Sequence, residues 1–206
     1  MSLKVVGKAL LVVFSLSFAS HVVYNYCRLK KKKRADVNEV IMFSYGGAEL
    51  RKSRYSKSMI SKSMDRLLYY LNSPRYNLDI CMYVLTSMDL TNAILKLNFR
   101  GVKIRIIIDA DMAFSSGSTV KKLEKQGIPV RWMKSTALMH HKFCLIDTMG
   151  EHIATPLVIM GSLNWTNNAL HGNWEDVTVT SQRQLVEQYR VEFERLWTMF
   201  KPIVDI

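Results

Sequence analysis

The chain is poor in the residues that mark unstructured, fibrous or cross-linked proteins: its 206 residues include only 4 Pro, 9 Gly and 3 Cys. So little proline and glycine excludes a collagen-like or low-complexity chain. The cysteines (Cys27, Cys81, Cys144) are odd in number and far apart, with no CxxC pair. That excludes a disulfide framework and a cysteine-rich zinc module, and it fits a reducing compartment. Acidic residues are missing from the first 34 positions, which carry eight basic ones and so supply eight of the twelve net positive charges. The rest of the chain is only mildly basic, and bulk charge alone is no argument for nucleic-acid binding. What is present is a 49% hydrophobic composition at a length that suits one domain with a short appendage.

The appendage comes first. Residues 5–26 (VVGKALLVVFSLSFASHVVYNY) are mostly apolar, and at ~1.5 Å per residue they are long enough to cross a hydrocarbon core of ~30 Å as one helix. Lys8 lies near one end, where it can snorkel, and Tyr24 and Tyr26 fall where an interfacial aromatic belt would be. The cluster RLKKKKR comes directly after, and the positive-inside rule puts that flank and the rest of the chain in the cytosol. The rival is a cleaved secretory signal with Lys4 and Lys8 as its basic start and SFAS as its cleavage region. Six basic residues just after the apolar run disfavour translocation of the downstream domain. Their own expected role is contact with anionic headgroups, worth ~1 kcal/mol per residue near the surface. The expected organisation is a membrane anchor over 1–27, a basic juxtamembrane linker over 28–38 and one domain over 39–206.

Within that domain EVIMF (39–43) is a strand candidate, and residues 44–57 (SYGGAELRKSRYSK) are polar and basic and are expected to form a loop. Ile60, Met64, Leu67 or Leu68 and Leu71 recur at helical spacing, Ser73-Pro74 stops them, and LDICMYV (78–84) comes next as a buried strand. Ser87 can cap a helix carrying Leu90, Ile94 and Leu97, closed by Gly101. VKIRIII (102–108), a helix over about 118–126, Gly127 and PVRWM (129–133) repeat the helix, glycine, strand passage. Further strands are expected at 142–147, 157–162 and 176–180. Ser181 and Gln184 form a plausible capping box for a last helix striped with Leu185, Tyr189, Phe193, Leu196 and Phe200, a core face. The rhythm implies an α/β domain, a sheet flanked by helices.

The chemistry is written between the fourth and fifth strands, where His140-His141-Lys142-Phe143-Cys144-Leu145-Ile146-Asp147 precedes Gly161-Ser162-Leu163-Asn164. Side chains alternate along a strand, so His140 and Lys142 share a side, as do Ser162 and Asn164. Two neighbouring strands can then aim an imidazole, an ammonium, a hydroxyl and an amide at one point. That set suits a phosphate: Lys, Asn and Ser donate to its oxygens, and the imidazole serves as nucleophile or proton carrier. Glu175, at the start of the next strand, is placed to accept from the second ring nitrogen of His140 and fix its tautomer.

HHKFCLID followed by GSLN resembles the HxKxxxxD and GSxN signature of the phospholipase D superfamily. GSLNWT, GNWED and the FERLW helix, with an N-terminal anchor, are similar more narrowly to the Zucchini-type mitochondrial phospholipase D-like family, over residues 39–200. The resemblance implies a phospholipase D-like fold with a mixed sheet. It also implies His140 as nucleophile, Lys142, Ser162 and Asn164 as phosphate ligands, Glu175 as the acid that orients the histidine, and Asp147 as a structural hydrogen-bonding group. It implies no metal and no cofactor. Because one chain holds one motif and the superfamily uses two histidines, it implies a homodimer with a shared site. The activity implied is a metal-independent endonuclease on single-stranded RNA at the mitochondrial outer membrane, serving Piwi-family proteins. Cardiolipin hydrolysis to phosphatidate is the alternative, and a non-catalytic scaffold the second.

One departure stands out. Relatives often carry a small Cys/His zinc site between the first strand and first helix, but residues 44–57 hold neither residue type, so no zinc is expected. The basic loop with Arg51, Lys52, Arg54, Lys57 and Lys62 is the candidate substitute for gripping substrate. Tyr45 and Tyr55 are candidates for stacking on bases. His141 is expected to face away from His140. Asp109 and Asp111 read as turn and helix-entry residues.

Overall fold

Strand alternation divides the core in two. In β4 (Asn77–Met82) Leu78, Ile80 and Met82 pack into one buried cluster and Cys81 into another, and β5 (Lys103–Ile108) splits Ile104, Ile106 and Ile108 from Ile107 in the same way. These strands belong to an eight-stranded mixed sheet in the order β1-β9-β8-β7-β4-β5-β6-β10. The remaining members are β1 (Asn38–Phe43), β6 (Val130–Trp132), β7 (Lys142–Ile146), β8 (Leu157–Gly161), β9 (Glu175–Thr180) and β10 (Lys201–Pro202). β4, β5 and β6 run parallel, while β7, β8, β9 and β1 continue the sheet antiparallel. The computed structural model describes residues 7, 13–24, 36–44, 49–149 and 155–202.

The larger cluster joins one sheet face to α2 (Lys62–Leu71), α3 (Met88–Phe99), α5 (Val120–Glu124) and α6 (Asn167–Gly172); α4 (Ala110–Ala113) is a single turn. The smaller cluster joins the opposite face to α7 (Arg183–Met199) through Val186, Phe193 and Leu196. α7 is also held by a charge network whose inner pair, Arg105 and Asp79, is buried. Arg105 pairs with Asp79 and with Glu194, both at 2.7 Å, and lies over the rings of Phe193 and Trp197. Removing one member of such a pair strands a buried charge, at a cost of about 3–5 kcal/mol.

Three local expectations are corrected. The polar stretch before the first domain helix is not all loop: β2 (Leu50–Lys52) and β3 (Met59–Ser61) form a two-stranded ribbon. Ile60 therefore belongs to β3, and α2 starts after Ser61, whose hydroxyl accepts from Met64 N–H. Ser87 precedes α3 but makes no side-chain cap, and its buried hydroxyl has no partner among the described residues. The Ser181–Gln184 box does not form either. α7 begins at Arg183, and Ser181 Oγ instead accepts from Val37 N–H. Gly101 and Gly127 do close their helices with φ near +80°, which an L side chain rarely adopts.

The chain divides into residues 1–35 and 36–206. In the first unit residues 13–24 are helical (α1) and exposed. Among the described residues no helix is long and apolar enough to cross a membrane; both ends of the expected span and the cluster RLKKKKR lie outside the described residues.

Candidate active site

The C-terminal ends of β4 and β8 and the N-terminal ends of β7 and β9 meet at one edge of the sheet. The register fixes this: Met82 is opposite Lys142, Phe143 opposite Met160 and Gly161 opposite Val177. In sheets with parallel strands, that edge is where ligands bind. Gly161 permits the close approach, since a Cβ there would sit 2.1 Å from the Asp176 carbonyl oxygen. Ser162 N–H donates to that same oxygen, and Asp176 N–H donates to Ser162 Oγ at 3.1 Å. Ser162 Oγ donates in turn to Glu175 Oε2, and Asn173 Nδ2 donates to Glu175 Oε1 at 2.9 Å.

On the neighbouring strand Lys142 Nζ donates to the His140 carbonyl at 2.9 Å and lies 3.2 Å from Nδ1 and 3.4 Å from Nε2 of the same residue. Burial holds the Lys142 pKa below its ordinary value by stripping water from the ammonium, and the negative charge of Glu175 opposes the shift. His140 and Ser162 are exposed and Lys142 is half-buried. Asn164 is partly buried, and its Oδ1 has no hydrogen-bond partner among the described residues. A buried unpaired acceptor is costly in a resting protein and is the kind of group a ligand satisfies.

The geometry revises one expected role, that of Glu175. Glu175 makes no hydrogen bond to His140; its oxygens go to Ser162 and Asn173, and it acts on Lys142 by charge. Asp147 is at the far end of β7, buried, with φ of +53°. Its carboxylate accepts backbone N–H groups of Arg75, Tyr76 and Asn77 at 2.8–3.1 Å, and it takes no part in the phosphate cluster. His141 turns to the α7 side, 3.4 Å from Glu192 and edge-on to Phe143. Asp109 caps α4 and accepts Met139 N–H.

In the basic ribbon, Arg51 is paired with Asp65 at 2.7 Å, so its charge is neutralised, whereas Lys52, Arg54, Lys57 and Lys62 are exposed. Tyr55 is partly buried, and Tyr45 lies outside the described residues. Among the described residues no group of His, Cys, Asp and Glu is placed to hold a metal ion. Cys81 and Cys144 are buried thiols whose pKa values burial pushes well above the usual range.

Sequence reasoning missed Tyr83. Its ring centroid is 4.6 Å from that of His140, tilted by 58°, and Lys142 Nζ stands 5.6 Å from it. The ring backs both reacting groups. The available signal was position, one residue past β4 at the ligand edge.

Residues 67–197 match the family described as cardiolipin synthase, PLD-like domain. A mitochondrial cardiolipin hydrolase of Chlamydomonas reinhardtii is 40% identical over 76% of this chain and 66% of its own length. One of Drosophila melanogaster is 32% identical over 92% and 87%. A human one is 37% identical over 68% and 53%, so this chain spans about half of that relative. Among solved structures, the phospholipase D family member Nuc of Salmonella typhimurium aligns with a TM-score of 0.65 over 82% of this chain and 99% of its own, at 20% identity. NucT of Helicobacter pylori aligns equally well at 21% identity. These two likenesses speak for the fold.

Proposed function

The chain belongs to the phospholipase D-like family, among the Zucchini-type relatives named mitochondrial cardiolipin hydrolase, and from that membership we propose that it is a metal-independent endonuclease on single-stranded RNA. In this reading His140 attacks phosphorus and the bond to the 3′-oxygen breaks. The phosphate stays on the imidazole with its 5′-nucleoside, and His140 of a second copy protonates the leaving 3′-oxygen. Water then attacks the phosphohistidine, freeing a 5′-phosphate. Lys142 and the Asn164 Nδ2 amide donate to the non-bridging oxygens, and Ser162 joins them by turning its single hydroxyl hydrogen from Glu175 to the phosphate. Glu175 holds Ser162 in place, and its negative charge favours the ammonium of Lys142.

The observation that carries RNA over lipid is the openness of the site. His140 and Ser162 face solvent, where a polymer backbone can lie across them. The second reading, cardiolipin hydrolysis, is favoured by the relatives' names and by a neighbouring groove of about 380 Å³. That groove runs from His140 and His141 to Leu138, Leu196 and Met199 and suits an apolar tail. For location, the reading takes the mitochondrial outer membrane with the apolar segment of 1–27 as anchor, and Piwi-family proteins as recipients of the product.

The test is cleavage of single-stranded RNA in EDTA, with cardiolipin vesicles in parallel. Products with 5′-phosphate and 3′-hydroxyl ends are expected. Ends bearing 2′,3′-cyclic phosphate, or activity abolished by EDTA, would exclude the mechanism, and turnover of cardiolipin without RNA cleavage would transfer the proposal to the second reading.

A further inference from the structure

A second groove, of about 610 Å³, opens between the loop that joins β2 to β3 and the outer face of α3, and the phosphate cluster does not use it. α3 buries Leu90, Ala93, Ile94 and Leu97, which turns Met88, Asn92, Lys96 and Phe99 outward as one stripe. Phe99 is 79% exposed, an unusual place for a ring whose burial would contribute to stability. The facing wall is Tyr55 to Ser58, and it is tied to the helix before any ligand arrives: Ser56 Oγ donates to Asp89 Oδ1 at 2.5 Å, and Lys96 Nζ donates to the Tyr55 carbonyl at 3.0 Å. The one carboxylate in the groove thus has a donor, and the two cations, Lys57 and Lys96, face no acidic partner in these contacts.

The near end of the groove is linked to the site through the backbone. Thr86 and Ser87, which open α3, both donate their N–H groups at 2.9 Å to the carbonyl of Trp165, the residue after Asn164. Asn167 lines the groove and lies three residues after Asn164, at most ~10 Å of chain. From Met88 to Phe99 the helix adds about 16 Å. A strand whose phosphate sits at His140 and Lys142 and whose next residues run along α3 would meet, in order, an amide, a helix face with lysines beside it, and an exposed aromatic ring. Cations spaced along a path that ends in a ring suit a sugar-phosphate backbone with stacked bases. The amides and Asp89 make it a poor bed for an acyl chain.

We propose that this groove is a subsite for single-stranded nucleic acid, which Lys57 and Lys96 hold by its phosphates and Phe99 by stacking on a base. The proposal rests on the RNA reading and adds to it the path and the residues that lengthen the contact.

The experiment compares the full chain with its Phe99→Ala and Phe99→Trp variants on a long single-stranded uridine polymer and on a diuridine that fills only the catalytic phosphate position. Loss of one stacked base predicts a KM for the polymer raised about fivefold or more in Phe99→Ala, with Phe99→Trp returning it to the wild-type range and the KM for diuridine unmoved. A polymer KM in Phe99→Ala within about twofold of wild type would overturn the subsite, stacking being worth more than that. So would weakened binding of Phe99→Ala to cardiolipin vesicles with its polymer KM intact, because the face would then be a membrane contact. If the wild type cleaves neither RNA, the RNA reading itself fails and the subsite with it, an outcome the wild-type lane shows without any variant.

Discussion

The two ends of β7 carry letters of the same sequence motif and live under opposite physical rules. At the far end Asp147 is buried and saturated, its carboxylate taking three backbone N–H groups from residues 75–77. At the near end His140 is exposed, Lys142 is half-stripped of water, and Asn164 on the way out of β8 keeps an acceptor with no partner among the described residues. One end has finished its hydrogen bonding on folding; the other has left it open. A motif letter therefore does not announce whether it serves stability or chemistry. The completeness of its bonding does.

The largest expected effect lies at the open end. His140→Ala is expected to lower kcat by ~10³-fold or more by removing the attacking group, with the melting temperature little changed because the residue is exposed. Co-refolding equal amounts of wild type and His140→Ala sharpens the proposed shared site. Activity per chain falls to roughly a quarter if two copies of His140 act together, and to roughly half if each chain works alone. A value near a half, from an active monomer by light scattering, would remove the basis for the dimer.

The saturated end predicts the reverse pattern. Asp147→Ala leaves three N–H groups without their acceptor and puts alanine at φ of +53°, for a loss of about 3 kcal/mol or more of stability, while the folded fraction keeps its kcat. Asp147→Asn tolerates that backbone conformation and keeps one side-chain oxygen, so its loss should be smaller. Chemical denaturation and active-site titration of the two variants check this. A drop in kcat per folded molecule matching that of His140→Ala would place Asp147 back in the chemistry.

Much of this contrast was legible in the sequence and part was not. The strands at 78–84, 102–108 and 142–147 are long apolar runs bounded by Gly or polar turns, and burial on both faces leaves them little choice. The ribbon of β2 and β3 was not legible, because LRK and MIS carry no alternation and their pairing depends on Ser53 and Arg51 meeting Asp65 on α2. The failed cap at Ser181 has the same origin: Val37 N–H, 144 residues away, takes the hydroxyl that local sequence assigns to the helix. At the site, spacing placed His140, Lys142, Ser162 and Glu175 correctly at one edge. It did not reveal that Glu175 would be bonded by Ser162 and Asn173, nor that Tyr83 backs His140, since partners brought in from other strands leave no mark on period or spacing.

The smallest effect tests the desolvation of Lys142 itself. Burial lowers its pKa from the usual 10.5, so the ammonium is lost, as pH rises, earlier than an exposed lysine would lose it. The phosphate contact should therefore fade on the alkaline side, and kcat/KM should fall along a limb whose midpoint lies below 10.5. Single-stranded DNA is the substrate to use, because RNA hydrolyses itself at high pH and a histidine nucleophile has no need of the 2′-hydroxyl. Two variants bracket the cause. Lys142→Arg keeps its charge throughout this range, so it should lower the plateau but abolish the limb. Glu175→Gln removes the negative charge that opposes the shift, so it should move the limb further down in pH, beyond whatever it does to the plateau through Ser162. A limb that persists in Lys142→Arg, or one that Glu175→Gln moves upward, would mean that some other group titrates there and that the half-buried ammonium is not what distinguishes the open end of β7.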